Sequence, residues 1–490
     1  MFDCKRASNW VRCKLGDALS FEYGKALKKE NRNEAGPFNV YGSSGIVGKH
    51  DEPLVDGPAV VVGRKGSVGS VFYSESGFWP IDTTYYVNPP EYFDAKFVAH
   101  YLGFLRLSEL DTSTAVPGLN RDDAYRVQVG IPPINEQRRI VAKVEELFSE
   151  LDKGVESLKT ARAQLKTYRQ SLLKAAFEGR LTEQWRRDNA DQLETADQLL
   201  QRIREEREAR YQKQLEDWKA AVAEWEMSGQ LGRKPRKPRA NKMVGIDLGD
   251  SLENVDGWLW KPLEEISGII VDGAHKTPRY VDAGIPFISA KDIKDLRVDF
   301  SGTRFISQEE HEALIRRCHP SEGDVLVTKS GTIGRVAVVE TDEQFSLFES
   351  VALVPVPKCM DSRFVAYACY FYINNGYAEK KQKGVAVRHL HLEDLRQLPI
   401  PVPPIQEQER LVRVIEVHIT STREVEKGIE RELVRAEHLH QSILKRAFEG
   451  KLVPQDPDDE PAGVLLERIR QEQADTPKPG RRRRKAEASA

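Results

Sequence analysis

At 490 residues the chain exceeds what one hydrophobic core usually serves, so two domains with connecting elements are expected. Its charged fraction of 31% stands above the globular average of roughly 25% and calls for much exposed helical surface. A net charge of −2 with a pI near 6.6 excludes nucleic-acid binding through overall positive charge; such affinity would have to come from local patches or from partners.

In chain order, residues 1–130 read as an α+β domain. Short apolar runs, AVVVG and TTYYV, bounded by Gly, Pro, Asp and Ser, predict strands, and FVAHYLGFLR predicts a short helix. Residues 131–182 predict one long helix. Val141, Val144, Phe148, Leu151, Val155, Leu158, Leu165 and Leu172 recur in steps of three and four, the seam of a coiled coil. At 1.5 Å per residue, about 40 residues make a rod of roughly 60 Å. Pro132 and Pro133 suit the approach to its first turn, where a missing N–H costs nothing, and Gly179 suits its end.

Residues 183–246 read as charged helix to about residue 229 and then as a basic linker. Residues 247–401 form a second α+β domain, with strands at VLVTK and VALVPV and a helix at FVAYACYFYINN. Residues 402–453 predict the second long helix, opened by Pro403-Pro404 and ended by Gly450, with Val412, Ile415, Ile419, Ile429, Leu433 and Ile443 on its seam. Val425 sits one residue off and is expected to turn inward. Arg162 and Arg169 interrupt the first seam, and Thr422, Glu426 and His440 the second. Two readings fit them: long side chains reaching water at the edge of the contact, or polar contacts that fix register. Residues 454–490 hold a short apolar-faced helix and a basic tail.

The chain is one unit written twice. IPPINEQRRIV (131–141) and QSLLKAAFEGRL (170–181) return as VPPIQEQERLV (402–412) and QSILKRAFEGKL (441–452), both 271 positions later. A constant offset means that the segment between them has equal length in both copies. ETADQLLQRIREER (194–207) resembles EPAGVLLERIRQEQ (460–473), VVVGRKGSVGSV (60–71) parallels VLVTKSGTIGRV (325–336), and Trp10 with Leu15 parallels Trp258 with Leu263.

Strings that invite a catalytic reading fail on spacing. VNPPEYF (87–93) approaches the N-P-P-aromatic motif of adenine methyltransferases, but Glu91 separates the prolines from the ring that must stack on a flipped base. No glycine-rich cofactor loop joins a strand to a helix. SGIVGKH (44–50) resembles a phosphate loop, yet Ser43 stands where the first glycine is needed and His50 where a magnesium-binding hydroxyl is. VGIDLGDS (244–251) resembles the first phosphate loop of actin-like ATPases without its second half. Ten histidines lack metal-ligand spacing, so no metal site is expected, and nothing assembles a nucleophile, a base and an orienter. Cys4, Cys13, Cys318, Cys359 and Cys369 are odd in number and form no C-x-x-C pair, which favours buried, reduced thiols over a disulfide framework or zinc ribbon. No apolar run approaches the roughly 18 residues of a membrane span, and the start lacks a signal-peptide core, so a cytoplasmic location without membrane contact is expected.

The repeated strings resemble the specificity subunit of a type I restriction-modification enzyme. The resemblance rests on the helix openings PPINEQRRIV and PPIQEQERLV, their endings LLKAAFEGRLT and ILKRAFEGKLV, the turns KGSVG and SGTIG, and the strings GLNRDDAYRVQVGIPP and HLHLEDLRQLPIPVPP, in order across nearly the whole chain. It implies two target-recognition domains, each reading half of a split, asymmetric DNA site, held apart by an antiparallel coiled coil. The implied partners are double-stranded DNA, two methyltransferase subunits carrying S-adenosylmethionine, and restriction (translocase) subunits using ATP and magnesium. The chain itself would bind no cofactor and catalyse nothing. The alternatives are a stand-alone N6-adenine methyltransferase and a coiled-coil scaffold that reads no DNA.

Base reading needs side chains at base edges, and positioning needs phosphate contacts. Arg64, Lys65, Gly66, Ser67 and Gly69 make a turn whose N–H groups and cations could approach phosphate, matched by Lys329, Ser330, Gly331, Thr332 and Gly334. Equally, the glycines could make a tight hairpin against the core. Candidates for base contact are Tyr41, Ser43 and Ser44 in the first domain and Lys291, Asp292, Arg388 and His389 in the second. The basic stretches Arg233–Arg239 and Arg481–Lys485 fit DNA-backbone contact or a solubilising tail equally. The apolar faces at Leu199–Arg204 and Leu465–Arg470 are expected to dock the two methyltransferase subunits.

Overall fold

The computed structural model describes residues 9–111, 117–232, 234–238, 255–294, 296–377 and 389–475. The chain forms two compact units, and neither coincides with a sequence copy. Met1–Ala161 join Gly428–Ala490 in the first, and Arg162–Lys427 make the second. Each unit thus takes the opening half of one long helix and the closing half of the other, as antiparallel pairing requires.

In the first unit the β-branched run Ala59–Gly63 is buried at every position, because it lies antiparallel between Thr84–Val87 and Val71–Ser74. Glu22–Tyr23 adds an edge strand beyond Thr84–Val87. Side chains alternate across a strand. Val60 and Val62 accordingly join Phe97, Tyr101 and Leu102 of the helix Ala95–Phe104, while Val61 joins Tyr41, Val55 and Phe78 at a second sheet ordered Gly45–His50, Phe38–Gly42, Phe78–Pro80. The pair Val11–Lys14 and Gln128–Ile131 closes the domain and delivers the chain to the first long helix, Ile134–Phe177.

That entry is fixed by two fully buried polar side chains, Glu136 and Gln137. The Gln137 side-chain oxygen accepts from the Asp94 N–H (3.0 Å), its amide donates to the Pro132 carbonyl (3.0 Å), and Glu136 accepts from the Trp10 indole (2.9 Å). The closing half of the second long helix, Ile405–Phe448, contributes Ile443, Ala447 and Phe448 to the same core, and the helix Ala462–Asp475 contributes Leu465 and Leu466. Phe448 stacks on Tyr101 with centroids 4.6 Å apart. Phe148 meets His440 edge-on at 3.8 Å.

The second unit repeats this plan. Val325–Thr328 is buried throughout in a sheet ordered Val271–Asp272, Val351–Val354, Val325–Thr328, Val336–Val338. Its second sheet has four strands, ordered Tyr280–Val281, Arg304–Ile306, Ile285–Ile288, Ser346–Leu347, and a small hairpin pairs Ile293–Lys294 with Arg297–Val298. Gln408 accepts from the Asp361 N–H (3.1 Å) and donates to the Pro403 carbonyl (2.9 Å). Glu407 accepts from the Trp258 indole (2.9 Å), the Thr182 hydroxyl (2.6 Å) and Arg186 (2.9 Å). Leu173, Ala176 and Phe177 close this core from the first long helix, with Leu199, Leu200 and Ile203 from the helix Ala196–Met227.

The long helices end where expected, at Gly179 and Gly450 with φ of 70° and 67°, and their inward positions keep the steps of three and four. Val141, Val144, Leu172, Val412, Ile415, Ile429 and Ile443 are buried, and Phe148, Leu151, Val155, Leu158, Leu165, Ile419 and Leu433 are half-buried. Thr422, Glu426 and His440 occupy inward positions rather than breaking the pattern. Val425 does not turn inward: it is 50% exposed, since one residue rotates about 100° around a helix. Arg169 donates to Thr422 Oγ1 (3.0 Å) and Glu426 Oε2 (2.7 Å), a contact that fixes register, while Arg162 is exposed.

The cores depend on residues supplied from far along the chain. Phe448→Ala is therefore expected to cost about 3–5 kcal/mol and to lower hydrogen-exchange protection of Ala59–Gly63 well below that of Val325–Thr328, measured on the intact protein. Equal loss of protection in both strands would contradict the division.

Candidate nucleic-acid interface

In the first unit the strand Ala59–Gly63 runs into a closed turn. The Gly63 N–H donates to the Ser70 carbonyl (2.7 Å) and the Gly69 N–H to Gly63 (2.8 Å). Arg64 and Lys65 both donate to Thr83 (2.9 and 3.1 Å), Gly66 donates to Pro117 (3.4 Å), and Leu119 donates to the Arg64 carbonyl (2.8 Å). Gly66 and Gly69 sit at φ of 83° and 71°, where side chains strain the backbone. A Cβ on Gly69 would stand 2.4 Å from the Ser108 nitrogen.

These bonds decide between the two readings of the turn. The N–H groups of Arg64, Lys65, Gly66 and Gly69 are spent within the domain, so the turn is a packed hairpin and those four do not form a phosphate cradle. Its outer edge, Lys65, Gly66 and Ser67, is exposed, and beside it lie exposed Ser44 and half-buried Ser43. The Ser70 hydroxyl ties the two turns by donating to the Ser43 carbonyl.

The second unit builds the same turn with other side chains. Lys329 donates its N–H to Ser350 (2.9 Å), Leu390 donates to the Lys329 carbonyl (2.8 Å), and Gly334 donates to Thr328 (3.0 Å). The Thr328 hydroxyl adds a bond to the Thr332 carbonyl (2.5 Å). Gly331 and Gly334 have φ of 74° and 81°. Gly331 and Thr332 are exposed, and Ser330 forms a bridge with exposed His389.

Two candidates for base contact are displaced. Tyr41 is only 6% exposed, packed on Phe78 and Phe72, because strand alternation turns it into the domain. Asp292 is 4% exposed and accepts from the Ser289 N–H and hydroxyl, both at 2.8 Å, as the closing member of a capping box. Lys291 is exposed and donates to the Gly302 carbonyl (3.2 Å). Arg388 lies outside the described residues.

Beside each turn, side chains that carried no sequence signal gather around the turn residues Arg64 and Lys329. In the first unit Arg64 and Arg121 lie over the Tyr23 ring, 5.3 and 5.1 Å from its centroid. Arg64 donates to the Asp82 carbonyl (2.6 Å) and Arg121 to the Phe21 carbonyl (3.2 Å). In the second unit the buried Asp272 meets Lys329 (3.1 Å), Arg317 (2.5 Å) and His275 (3.2 Å). Burial opposes its ionisation, but hydrogen bonds from Lys329 and His275 prevail and hold its carboxyl below the usual carboxylate range. Tyr23 and Asp272 lie in two-residue strands, too short for any periodicity to reveal them.

Among the described residues no group of three or more His, Cys, Asp and Glu could hold a metal, and no helix is long and apolar enough to cross a membrane. Cys13, Cys318, Cys359 and Cys369 are buried free thiols, with burial pushing Cys369 up to about 12.

The sequence matches the model of the type I restriction modification DNA specificity domain twice, at residues 7–162 and 257–435. The chain belongs to the type I restriction-modification specificity subunits. The EcoBI specificity subunit of Escherichia coli is 27% identical over 393 residues, covering 78% of this chain and 72% of its own. The EcoDI specificity subunit of Escherichia coli is 22% identical over 476 residues, covering 95% and 96%. A chain from a structure of type I R-M complex assembly and conformational transition shares the fold, with a TM-score of 0.61 at 16% identity, covering 91% of this chain and 99% of that one.

A specificity subunit recognises DNA and leaves catalysis to other subunits, which sets aside the methyltransferase and scaffold alternatives. Leu199, Leu200, Ile203, Leu465 and Leu466, expected to dock methyltransferases, are instead buried in the specificity subunit's own cores. Within the turn, frame and surface separate by substitution. Gly69→Ala should abolish folding of the first domain, read by circular dichroism and solubility. Lys65→Ala should leave folding intact and lower the salt slope of DNA binding by the assembled complex by about one.

Proposed function

We propose that this subunit directs adenine methylation and restriction to a bipartite, asymmetric DNA target, with residues 1–130 and 247–401 as recognition domains that each read one half. The observation that carries this reading is a single backbone turn built twice, with different side chains around it. The first domain would face DNA with Ser43, Ser44, Lys65, Gly66 and Ser67, and the second with Lys291, Ser330, Gly331, Thr332 and His389. With a net charge of −2 the subunit relies on partners for much of its electrostatic affinity. Those partners are two methyltransferase subunits that bind S-adenosylmethionine and restriction subunits that use ATP and magnesium, assembled in the cytoplasm.

Coexpression with the cognate methyltransferase, followed by sequencing of methylated adenines, tests this. A split motif with two unlike halves is expected, and exchange of residues 1–130 for the equivalent domain of a related chain should change one half alone. Methylation at an unbroken motif, or a change in both halves, would contradict the proposal.

A further inference from the structure

The two recognition domains place one pair of positions identically. Tyr23 and Asp272 are each the second residue of a two-residue edge strand, opposite Tyr85 and Ala352 in sheets of the same strand order. Arg64 and Lys329 each follow the buried central strand, and each binds its N–H to the residue before the neighbouring strand, Thr83 or Ser350. In both domains the two positions touch, Arg64 over the Tyr23 ring at 5.3 Å and Lys329 Nζ on Asp272 at 3.1 Å.

The backbone is shared and the chemistry is not. In the first domain a tyrosine ring, 51% exposed, lies under two guanidinium groups, each anchored on a backbone carbonyl. In the second a buried carboxylate holds Lys329 together with Arg317 and His275, whose side chains are 56% and 50% exposed. Glu349 reaches His275 at 3.3 Å. A fold used twice to read unlike sequences must keep its frame and change the groups that meet base edges. The glycine turns keep the frame, and these adjoining clusters are where it changes. Their chemistry also suits the task. Guanidinium N–H pairs are the commonest specific donors to guanine in the major groove, and anchoring by a carbonyl or a carboxylate removes the rotamer freedom that a free arginine would lose on binding.

We infer that Tyr23 with Arg64 and Arg121, and Asp272 with Arg317 and His275, are the base-reading centres of the first and second half-sites. This rests on the bipartite reading proposed above. Tyr23→Ala and Arg317→Ala are the decisive variants, since both residues are half exposed and neither lies in a core. Each would be coexpressed with the methyltransferase, with Arg126→Ala, an exposed cation of the first domain, as control.

In each variant at least one base position of one half-site should relax, losing about tenfold or more in discrimination. Tyr23→Ala should act on one half and Arg317→Ala on the other. The control should keep the parental motif. If the parental protein gives no split motif, the bipartite reading fails. If it does, and either variant keeps full discrimination, or methylates all sites more weakly without relaxing any position, the base-reading centres are refuted. Should Arg317→Ala lose its thermal transition, Arg317→Lys keeps the charge but not the forked donors and is read by the same criterion.

Discussion

Each unit depends on the first turn of a long helix, where a carboxylate and an amide are wholly buried. Burying such groups is costly unless hydrogen bonds compensate, and here neighbours from distant parts of the chain supply them, with Glu136 Oε2 left without a partner among the described residues. Gln137 and Gln408 each join the start of a helix in the domain, at Asp94 and Asp361, to a proline carbonyl before the long helix. Glu136 and Glu407 take the indoles of Trp10 and Trp258, residues that lie just ahead of each domain's first strand. The first turn of each long helix is thereby tied to the domain that precedes it.

The duplication is faithful in its frame and departs from itself at a few contacts. Arg169 and His440 are 271 positions apart, the spacing of the copies, yet Arg169 bonds Thr422 and Glu426 whereas His440 lies against Phe148. One unit closes its helix pair through a charged contact and the other through aromatic packing, so the copies are not interchangeable. The Arg169 and Glu426 side chains are 28% and 35% exposed, so solvent screens part of that attraction.

Features set by local periodicity were legible in the sequence. The seam steps, the proline entries and the exits at Gly179 and Gly450 all follow from 3.6 residues per turn and from the left-handed tolerance of glycine. Thr422 and Glu426 fit the same steps, and only their polarity disguised them as interruptions. Tyr41 was misread because a polar stretch suggested surface, while strand pairing decides which way each side chain points. Asp292 did carry a signal, the Ser-x-x-Asp spacing from Ser289. The edge clusters and the two-segment units join residues far apart in the chain, and such contacts leave no periodic trace.

That two-segment construction sets an order of events during synthesis. The first domain leaves the ribosome first, yet its core lacks Ile443, Phe448, Leu465 and Leu466 until nearly the whole chain exists. The second unit, ending at Lys427, is complete before it. At 5–20 residues per second, the wait from residue 130 to residue 466 is roughly 20–70 s. Throughout it Phe97 and Tyr101, which pack on Phe448 in the finished protein, lack that partner. The nascent chain must therefore hold an apolar cleft open to solvent or to a chaperone, and the domain that is translated first is the last to become a finished fold.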